Sequence, residues 1–194
     1  MSKPTYRKFD PWRAAPVIEE SRESVVDGHY FNVDLVSYHS PDIGNFQRNL
    51  LHAKNGDSVG VLGLTDEGLI PLVEQYRLPV HRWTLEIPAG HSYTGKEGPL
   101  QVAKERLLEE AGFEAKSFQQ FCRFINSPSF STQYTTLFLA RGLKAVQLDE
   151  TRVHMSVRFV EPGEALEMVN DGMIIDAKTI IAVQTVMTRP DLLQ

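Results

Sequence analysis

Between residues 24 and 87, apolar and polar side chains alternate with a period of two, which is typical of half-buried β-strands. Turn residues interrupt the alternation at Asp27-Gly28, at 40–44 and at Asn55-Gly56. Residues 1–20 carry three prolines and predict an irregular arm. The alternating runs predict strands over 25–26, 30–38, 46–53, 59–64, 68–77 and 83–87, with the turn at 65–68 joining its two flanking strands as a hairpin.

The hydrophobic period changes to that of a helix after Gly98. Pro99 is tolerated in a first helical turn and Gly112 is suited to the position just past the last one. Beyond this helix, strands are predicted over 121–125, 135–140 and 153–160, and helices over 162–170 and 176–187. The order predicts an α+β fold with a strand-rich first third, a central helix inside a mixed sheet, and terminal helices. The buried stripe of the central helix is predicted to be Leu100, Ala103, Leu107 and Ala111.

Length and charge limit the class of protein. The 194 residues fit one domain, or a core domain with a smaller attachment. With 42% hydrophobic and 23% charged residues, the chain can bury a substantial core. A net charge of −5 gives no electrostatic basis for binding nucleic acid. A phosphate-binding protein of this charge needs a metal ion or a local cluster of Arg and Lys.

Cysteine usage and hydropathy predict the compartment. Cys122 is the single cysteine, which excludes an internal disulfide framework and favours a reducing environment. It lies in an alternating run and is predicted to be a buried structural thiol. The chain carries no signal-like or membrane-length apolar run. We therefore expect a cytoplasmic protein without a membrane partner.

The central helix carries a group of charged residues with two possible arrangements. Side chains four residues apart lie one turn above each other, so Glu105 and Glu109 can share a metal ion, with Glu110 beside them. In the other arrangement Arg106 pairs with Glu110, replaces one cation charge and grips phosphate oxygens in a bidentate manner. A solvated helix with ordinary salt bridges is the third interpretation of these residues.

Residues 90–113 resemble the signature of the Nudix hydrolases, a glycine loop followed by a glutamate-rich helix that holds Mg²⁺ against a diphosphate. The family pattern reads G-x5-E-x7-R-E-U-x-E-E-x-G-U, where U is a bulky aliphatic or aromatic residue. This chain departs from it twice: Glu97 follows Gly90 by seven residues instead of six, and Arg-Glu is inverted to Glu105-Arg106. The last five defined positions are matched by Leu107, Glu109, Glu110, Gly112 and Phe113.

Segments outside this box are similar to the Nudix branch that hydrolyses ADP-ribose and nucleoside-diphosphate sugars. The resemblance covers roughly residues 24–187. It implies that the carbonyl oxygen of Ala89 is a metal ligand, that Arg77 binds substrate and that Glu86 lies near the substrate. The matching segments are Gln75-Tyr76-Arg77, 86–90, Ser127-Pro128 and 172–179. The loop side chains that could also face phosphate are His91 and Lys96.

The loop over 127–133 lacks the carboxylate that relatives commonly carry there. Gln133 can orient a water molecule but cannot accept its proton, and general-base assistance contributes about 10²–10⁴-fold to a rate. Glu161 or Glu164 could replace the missing base if a loop brings either one inward. The loss of this base together with one metal-binding glutamate predicts slow catalysis or another role.

The resemblance implies a Nudix fold, in which a mixed β-sheet lies between helices. It also implies an N-terminal β-rich segment over 1–55 and a Nudix hydrolase domain over 56–194. Family members of this branch are homodimers in which the N-terminal segment packs on the partner. The implied activity is hydrolysis of ADP-ribose or a related nucleoside-diphosphate sugar to a nucleoside monophosphate and a sugar phosphate, dependent on Mg²⁺ or Mn²⁺. The alternative is a catalytically impaired nucleotide-binding protein of the same fold. The resemblance implies metal binding for Ala89, Glu109 and Glu110 and phosphate binding for Arg77. From the residues themselves, we expect Glu105 to assist at the metal and Arg106 to bind phosphate.

Overall fold

The computed structural model describes residues 9–92, 98–146 and 155–192. Within these ranges the strands are β1 Ile18–Asp27, β2 Phe31–Ser40, β3 Gly44–Ala53, β4 Asp57–Leu64, β5 Ile70–Arg77, β6 Arg82–Glu86, β7 Ala89–Ser92, β8 Phe113–Ile125, β9 Tyr134–Ala145 and β10 Met155–Val160. The helices are α1 Pro99–Arg106, α2 Pro162–Asn170 and α3 Ala177–Thr188. A π-helical turn, Leu107–Ala111, continues α1, and 3₁₀ turns occupy Leu78–Val80 and Pro190–Leu192.

The N-terminal sheet is an antiparallel meander in the order β1-β2-β3. The predicted irregular arm was wrong at its end, because Ile18 and Glu19 already pair with His39 and Tyr38 of β2. Every residue of β1 is exposed, and two bulges interrupt its register. A strand that is exposed to solvent on both faces needs no alternation of apolar and polar residues. The start of β1 could therefore not be predicted from the hydrophobic pattern.

The remaining strands form two sheets, of order β7-β4-β9-β8 and β10-β5-β6. β4 and β9 are parallel, and the other neighbouring pairs are antiparallel. The predicted hairpin between β4 and β5 was wrong. A tight turn is present, since Gly68 has φ +82° and its N–H donates to the Thr65 carbonyl at 2.9 Å. The two strands nevertheless leave that turn for different sheets.

The four-stranded sheet has apolar residues on both faces. On β9, Leu137 and Leu139 pack in one cluster with α3, whereas Phe138 and Ala140 pack in a second cluster with α1. This sheet therefore lies between helices, and the predicted α+β architecture is confirmed. None of the helices in the described ranges has the length and apolar character needed to cross a membrane.

The helix of the box ends as predicted, and three of the four predicted stripe residues, Ala103, Leu107 and Ala111, are buried. Gly112 has φ +77° and its N–H closes the turn onto the carbonyls of Leu107 and Leu108. Leu100 is 43% exposed, and Val102 is buried instead. The last turn is π-helical, so the glutamates it carries no longer point in the directions that ideal α-helical spacing would give.

One loop connects the N-terminal sheet to the rest of the molecule. The Leu51 N–H of β3 donates to the Phe130 carbonyl at 2.7 Å, and the Thr132 N–H donates back to the Leu51 carbonyl at 3.2 Å. His52 Nδ1 also lies 3.0 Å from Thr132 Oγ1. The loop after β8 is thus held by backbone hydrogen bonds to a strand of the N-terminal sheet.

Candidate functional site

A cavity of about 500 Å³ opens where β7, α1, the start of α3 and the loop after β8 meet. Its volume lies within the range of ordinary small-molecule sites. Polar and apolar surface line it about equally, and Phe124 contributes to the apolar part. The lining side chains that carry the chemistry are Arg77, Arg106, Lys178, His91, Asp176 and Asn126.

Glu86 holds two of these cations in place. Its side chain is 3% exposed, and its carboxylate accepts from Arg77 Nε and Nη2 at 2.7 and 2.5 Å. Lys178 Nζ and Thr84 Oγ1 donate to the same carboxylate at 2.5 and 2.7 Å. Burial opposes ionisation, but the bonds from Arg77 and the charge of Lys178 outweigh it and lower the pKa of Glu86 to about 2. The carboxylate therefore stays charged and fixes both cations.

The start of α3 is locked by a short hydrogen-bond chain. The Ile87 N–H donates to Thr179 Oγ1 at 2.9 Å, and that hydroxyl donates to Asp176 Oδ2 at 2.6 Å. Asp176 also caps the helix by accepting from the Thr179 N–H at 3.0 Å. Its other oxygen lies 2.9 Å from Lys178 Nζ. The segment 172–179, noted in the sequence, thus orients Lys178 toward the cavity.

Arg106 lies across the glycine that precedes the box loop. A Cβ atom placed on Gly90 would come within 2.7 Å of both Cδ and Nε of Arg106. Only a residue without a side chain allows this approach. Arg106 Nη1 lies 2.8 Å from Glu109 Oε2, and its partner is therefore Glu109 and not Glu110.

Glu110 lies beneath the cavity next to β7. Its Oε2 accepts from the Ala89 N–H at 3.0 Å. Burial raises the pKa of Glu110, although the Ala89 N–H and the nearby charges of Arg106, Lys178 and Arg77 partly offset that effect. Partial burial, followed by the same three cations, lowers the pKa of His91. The charges of Arg106, Lys178 and Arg77 thus act to lower the pKa of both Glu110 and His91.

The NUDIX domain model matches residues 54–183, which is well over half of the chain. The chain belongs to the Nudix family. It is 34% identical over 169 residues to the ADP-ribose pyrophosphatase of Bacillus subtilis (strain 168), covering 84% of this chain and 89% of that relative. It is 31% identical over 166 residues to the methanol dehydrogenase activator of Bacillus methanolicus, with 84% and 88% covered.

A solved structure supports the fold. The crystal structure of an ADP compounds hydrolase superposes with a TM-score of 0.79 at 16% identity, covering 90% of this chain and 94% of that one. The predicted Nudix fold and the predicted relation to ADP-ribose pyrophosphatases are both confirmed. The chain is a Nudix hydrolase, an enzyme class that acts on pyrophosphate bonds.

The described part of the Nudix box does not by itself fit a divalent cation. Mg²⁺ is held by oxygen ligands, mainly carboxylates. Among residues 9–92, 98–146 and 155–192, no three His, Cys, Asp or Glu side chains form a group that could hold a metal. Glu109 is paired with Arg106, and Glu105 accepts from Gln101 at 2.9 Å and lines a separate cavity beside β8. Lys96 and Glu97 lie outside the described residues. The metal-binding roles of Ala89, Glu105, Glu109 and Glu110 stay predictions.

Gln133 is engaged in holding the loop after β8. Its amide oxygen accepts from Asn126 Nδ2 at 2.9 Å, and its amide nitrogen donates to the Gly56 carbonyl at 3.0 Å. Thr135 Oγ1 donates to Asn126 Oδ1 at 2.6 Å. In this arrangement Gln133 positions Asn126, which lines the cavity, and its predicted role toward water stays a prediction.

The two candidate bases lie away from the cavity, and the sequence did not predict one of its lining cations, Lys178. Glu161 and Glu164 are exposed at the start of α2, and neither lines the cavity. Lys178 was not predicted as a site residue, although Asp176-Ala-Lys-Thr179 was recognised as a matching segment. A lysine two residues after a helix-capping aspartate was the available signal, because that position places it beside the same cavity edge as the cap.

The stabilisation contributed by Glu86 should depend on pH in a defined window. Because its folded-state pKa of about 2 lies below the ordinary value near 4.5, this contribution is complete above about pH 4.5 and is lost as the pH falls toward 2. We expect the difference in unfolding free energy between the wild type and Glu86→Gln to be constant from pH 7 to 5 and to shrink below that. Urea unfolding of both proteins across this range measures it. A difference that shrinks between pH 7 and 6 would contradict the assignment.

Proposed function

We propose that this Nudix hydrolase cleaves the diphosphate of ADP-ribose or a related nucleoside-diphosphate sugar. A water oxygen attacks one phosphorus, the bridging P–O bond breaks, and the products are a nucleoside monophosphate and a sugar phosphate. The observation that carries this proposal is the ring of Arg77, Arg106 and Lys178 around one cavity of about 500 Å³. The protein as a whole has a net charge of −5, which would repel an anion. Three cations at one cavity make that surface locally positive and suit it to a diphosphate.

The contacts around Glu86 support a role for Arg77 and Lys178 in binding the substrate. Arg77 and Lys178 are held by one buried carboxylate, so they lose little further freedom when an anion arrives. Phosphate oxygens would reach the remaining N–H groups of both side chains from the cavity. We propose that Glu86 acts by positioning these two cations and has no direct contact with the reacting atoms.

Nudix hydrolases generally use divalent metal ions. The requirement of this chain for Mg²⁺ or Mn²⁺ stays a proposal, because the described carboxylates do not assemble a metal site by themselves. When bound, such an ion would neutralise charge on the diphosphate and lower the pKa of a bound water. The chain's own contribution is to orient the diphosphate through Arg77, Arg106 and Lys178.

A catalytically impaired nucleotide-binding protein is the second candidate function. Two observations favour it: Arg106 is paired with Glu109, and Gln133 has both ends of its amide in use. Such a protein would bind the diphosphate on its cations and release products slowly. Slow turnover and tight binding are the properties that separate this candidate from an efficient hydrolase.

Release of monophosphate from ADP-ribose, ADP-glucose and GDP-mannose tests the two candidates. We expect metal-stimulated release from at least one of them, and a loss of about 100-fold in kcat/KM for Glu110→Gln, because a neutral amide at this position removes a negative charge from the box. The matched control is Glu114→Gln on the exposed surface of β8, which should retain the wild-type rate. Tight binding of a substrate without measurable turnover would establish the binding protein instead.

The assembly and location of the chain stay proposals. Ile18, Val25, Val26 and Phe31 of the N-terminal sheet are 44% to 66% exposed, which suits a surface covered by a second copy. We propose a homodimer in which residues 1–55 pack on the partner, with residues 56–194 as the Nudix hydrolase domain. The cytoplasmic location likewise stays a prediction.

A further inference from the structure

The three cavity-lining cations differ in how fully their donors are used. Arg77 makes a bidentate pair with Glu86, and Lys178 contacts two carboxylates at 2.5 and 2.9 Å. Arg106 has one ion-pair contact, to the side chain of Glu109, which is 46% exposed. Of the lining cations that the structure describes, Arg106 is thus the one with the most donors left to offer.

One of these donors is buried without a partner. In the described residues, three buried side-chain N or O atoms have no hydrogen-bond partner: Asn32 Oδ1, Arg106 Nε and Arg141 Nε. Only Arg106 among them lines the cavity. A buried N–H without an acceptor costs about 1–3 kcal/mol, and this Nε gains one if the guanidinium turns from Gly90 toward the cavity.

The backbone at Gly90 makes room for this guanidinium. Because a Cβ there would meet Arg106 Cδ and Nε at 2.7 Å, the glycine lets the side chain lie flat against β7 at the cavity wall. The Nε–H and the neighbouring Nη–H of an arginine form a planar fork that matches two phosphate oxygens. The exposed pair with Glu109 opposes this use little, since pairs of that kind contribute at most about 1 kcal/mol.

We infer that Arg106 is a binding residue for the substrate diphosphate, turning its guanidinium into the cavity at the box position where the family pattern has a glutamate. This inference rests on the proposed function and adds one property to it. Because the cation is part of the chain, the diphosphate binds without a divalent metal ion. Metal then affects turnover more than affinity.

Isothermal titration of the full chain with ADP-ribose, in EDTA and again in Mg²⁺, tests this property. We expect the wild type to bind in EDTA without forming monophosphate. Arg106→Gln should bind at least about tenfold more weakly in EDTA, because a charge-assisted bidentate contact is lost. Arg106→Lys keeps the charge without the fork and should give an intermediate affinity.

Gly90→Ala provides a test that leaves Arg106 in the sequence. The added methyl group should displace the guanidinium and weaken binding in EDTA about tenfold, while the unfolding temperature changes little because a flexible side chain can move aside. The controls are Gly163→Ala, where an added Cβ meets no atom within 4 Å, and Arg158→Gln, which removes a cation from an exposed pair with Glu74. Both should bind within about twofold of the wild type.

The outcomes separate the inference from the function on which it rests. Wild-type binding in Mg²⁺ but not in EDTA, or Arg106→Gln binding as well as the wild type in EDTA, would overturn the role of Arg106 and leave the proposed hydrolysis standing. Absence of ADP-ribose binding and turnover under both conditions would overturn both. Thermal unfolding of each variant establishes that the affinities refer to folded protein.

Discussion

Glu86→Gln should lower the free energy of unfolding by about 3 kcal/mol and kcat/KM by at least about 100-fold. Removing one partner of a buried ion pair typically costs about 3–5 kcal/mol, because the remaining charge is left uncompensated. The lower end applies because the side chain of Arg77 is 43% exposed and partly solvated. Urea unfolding at pH 7 and initial rates on ADP-ribose measure the two effects.

The loss of activity follows from the shape of the network around Glu86. Its carboxylate accepts from Arg77, Lys178 and Thr84 together. An amide offers one oxygen and two N–H donors, so at least one cation must turn away from its present position. Two of the three cavity cations would then be misplaced, and errors of about 1 Å in positioning can cost about 10²-fold in rate.

Glu74→Gln is the matched control for this prediction. Glu74 accepts from Arg158 Nη2 at 3.0 Å on β5, the strand that also carries Arg77, but both partners are substantially exposed. Exposed pairs contribute about 0–1 kcal/mol, so this variant should unfold and react almost as the wild type does. Equal effects of the two substitutions would show that burial of Glu86 does not decide its importance.

Exchange of the inverted pair, Glu105→Arg with Arg106→Glu, should raise Mg²⁺-dependent turnover by about tenfold or more. Arg106 lines the cavity, whereas Glu105 lines a separate one beside β8. A glutamate at 106 would therefore bring a carboxylate to the cavity side, near Glu110. Carboxylate count is one of the main determinants of divalent-ion affinity. The same exchange should weaken ADP-ribose binding in EDTA, because the guanidinium leaves the cavity wall.

Initial rates over a Mg²⁺ titration and Mn²⁺ binding by calorimetry measure this prediction. The control is Glu105→Arg alone, which changes the β8 side and leaves Arg106 in place; it should bind Mn²⁺ no better than the wild type. An unchanged or slower rate in the double variant, with Mn²⁺ affinity also unchanged, would show that position 106 does not direct its side chain at the reacting diphosphate.

Local sequence signals predicted the box helix well. Pro99 and Gly112 mark its two ends because both residues act through their own backbone preferences, which need no tertiary partner. The buried stripe depends on tertiary packing, and three of its four predicted residues, Ala103, Leu107 and Ala111, are buried. Leu100 fits the helical period but lies in the exposed first turn, where the sheet has not yet been reached, and Val102 takes the buried position.

Strand partners could not be predicted in this way. The turn at 65–68 has the chemistry of a hairpin, yet β4 and β5 are both buried and can each pair with more than one neighbour. Their partners are fixed by how two sheets and their helices pack, which is information from distant parts of the chain. The site shows the same limit: Arg77 and Glu86 were predicted from resemblance, but the bond between them follows from the pairing of β5 with β6.

The backbone hydrogen bonds between Leu51 and the loop after β8 indicate how short a fragment of the chain can be and still hold its site in place. The segment matched by the NUDIX model starts at residue 54, just past β3. A fragment that begins there keeps every catalytic candidate but loses the strand to which residues 130 and 132 are bonded. Asn126, at the other end of that loop, would keep its bond to Gln133 but lose the support of β3. We therefore expect the catalytic unit of this enzyme to begin upstream of residue 54.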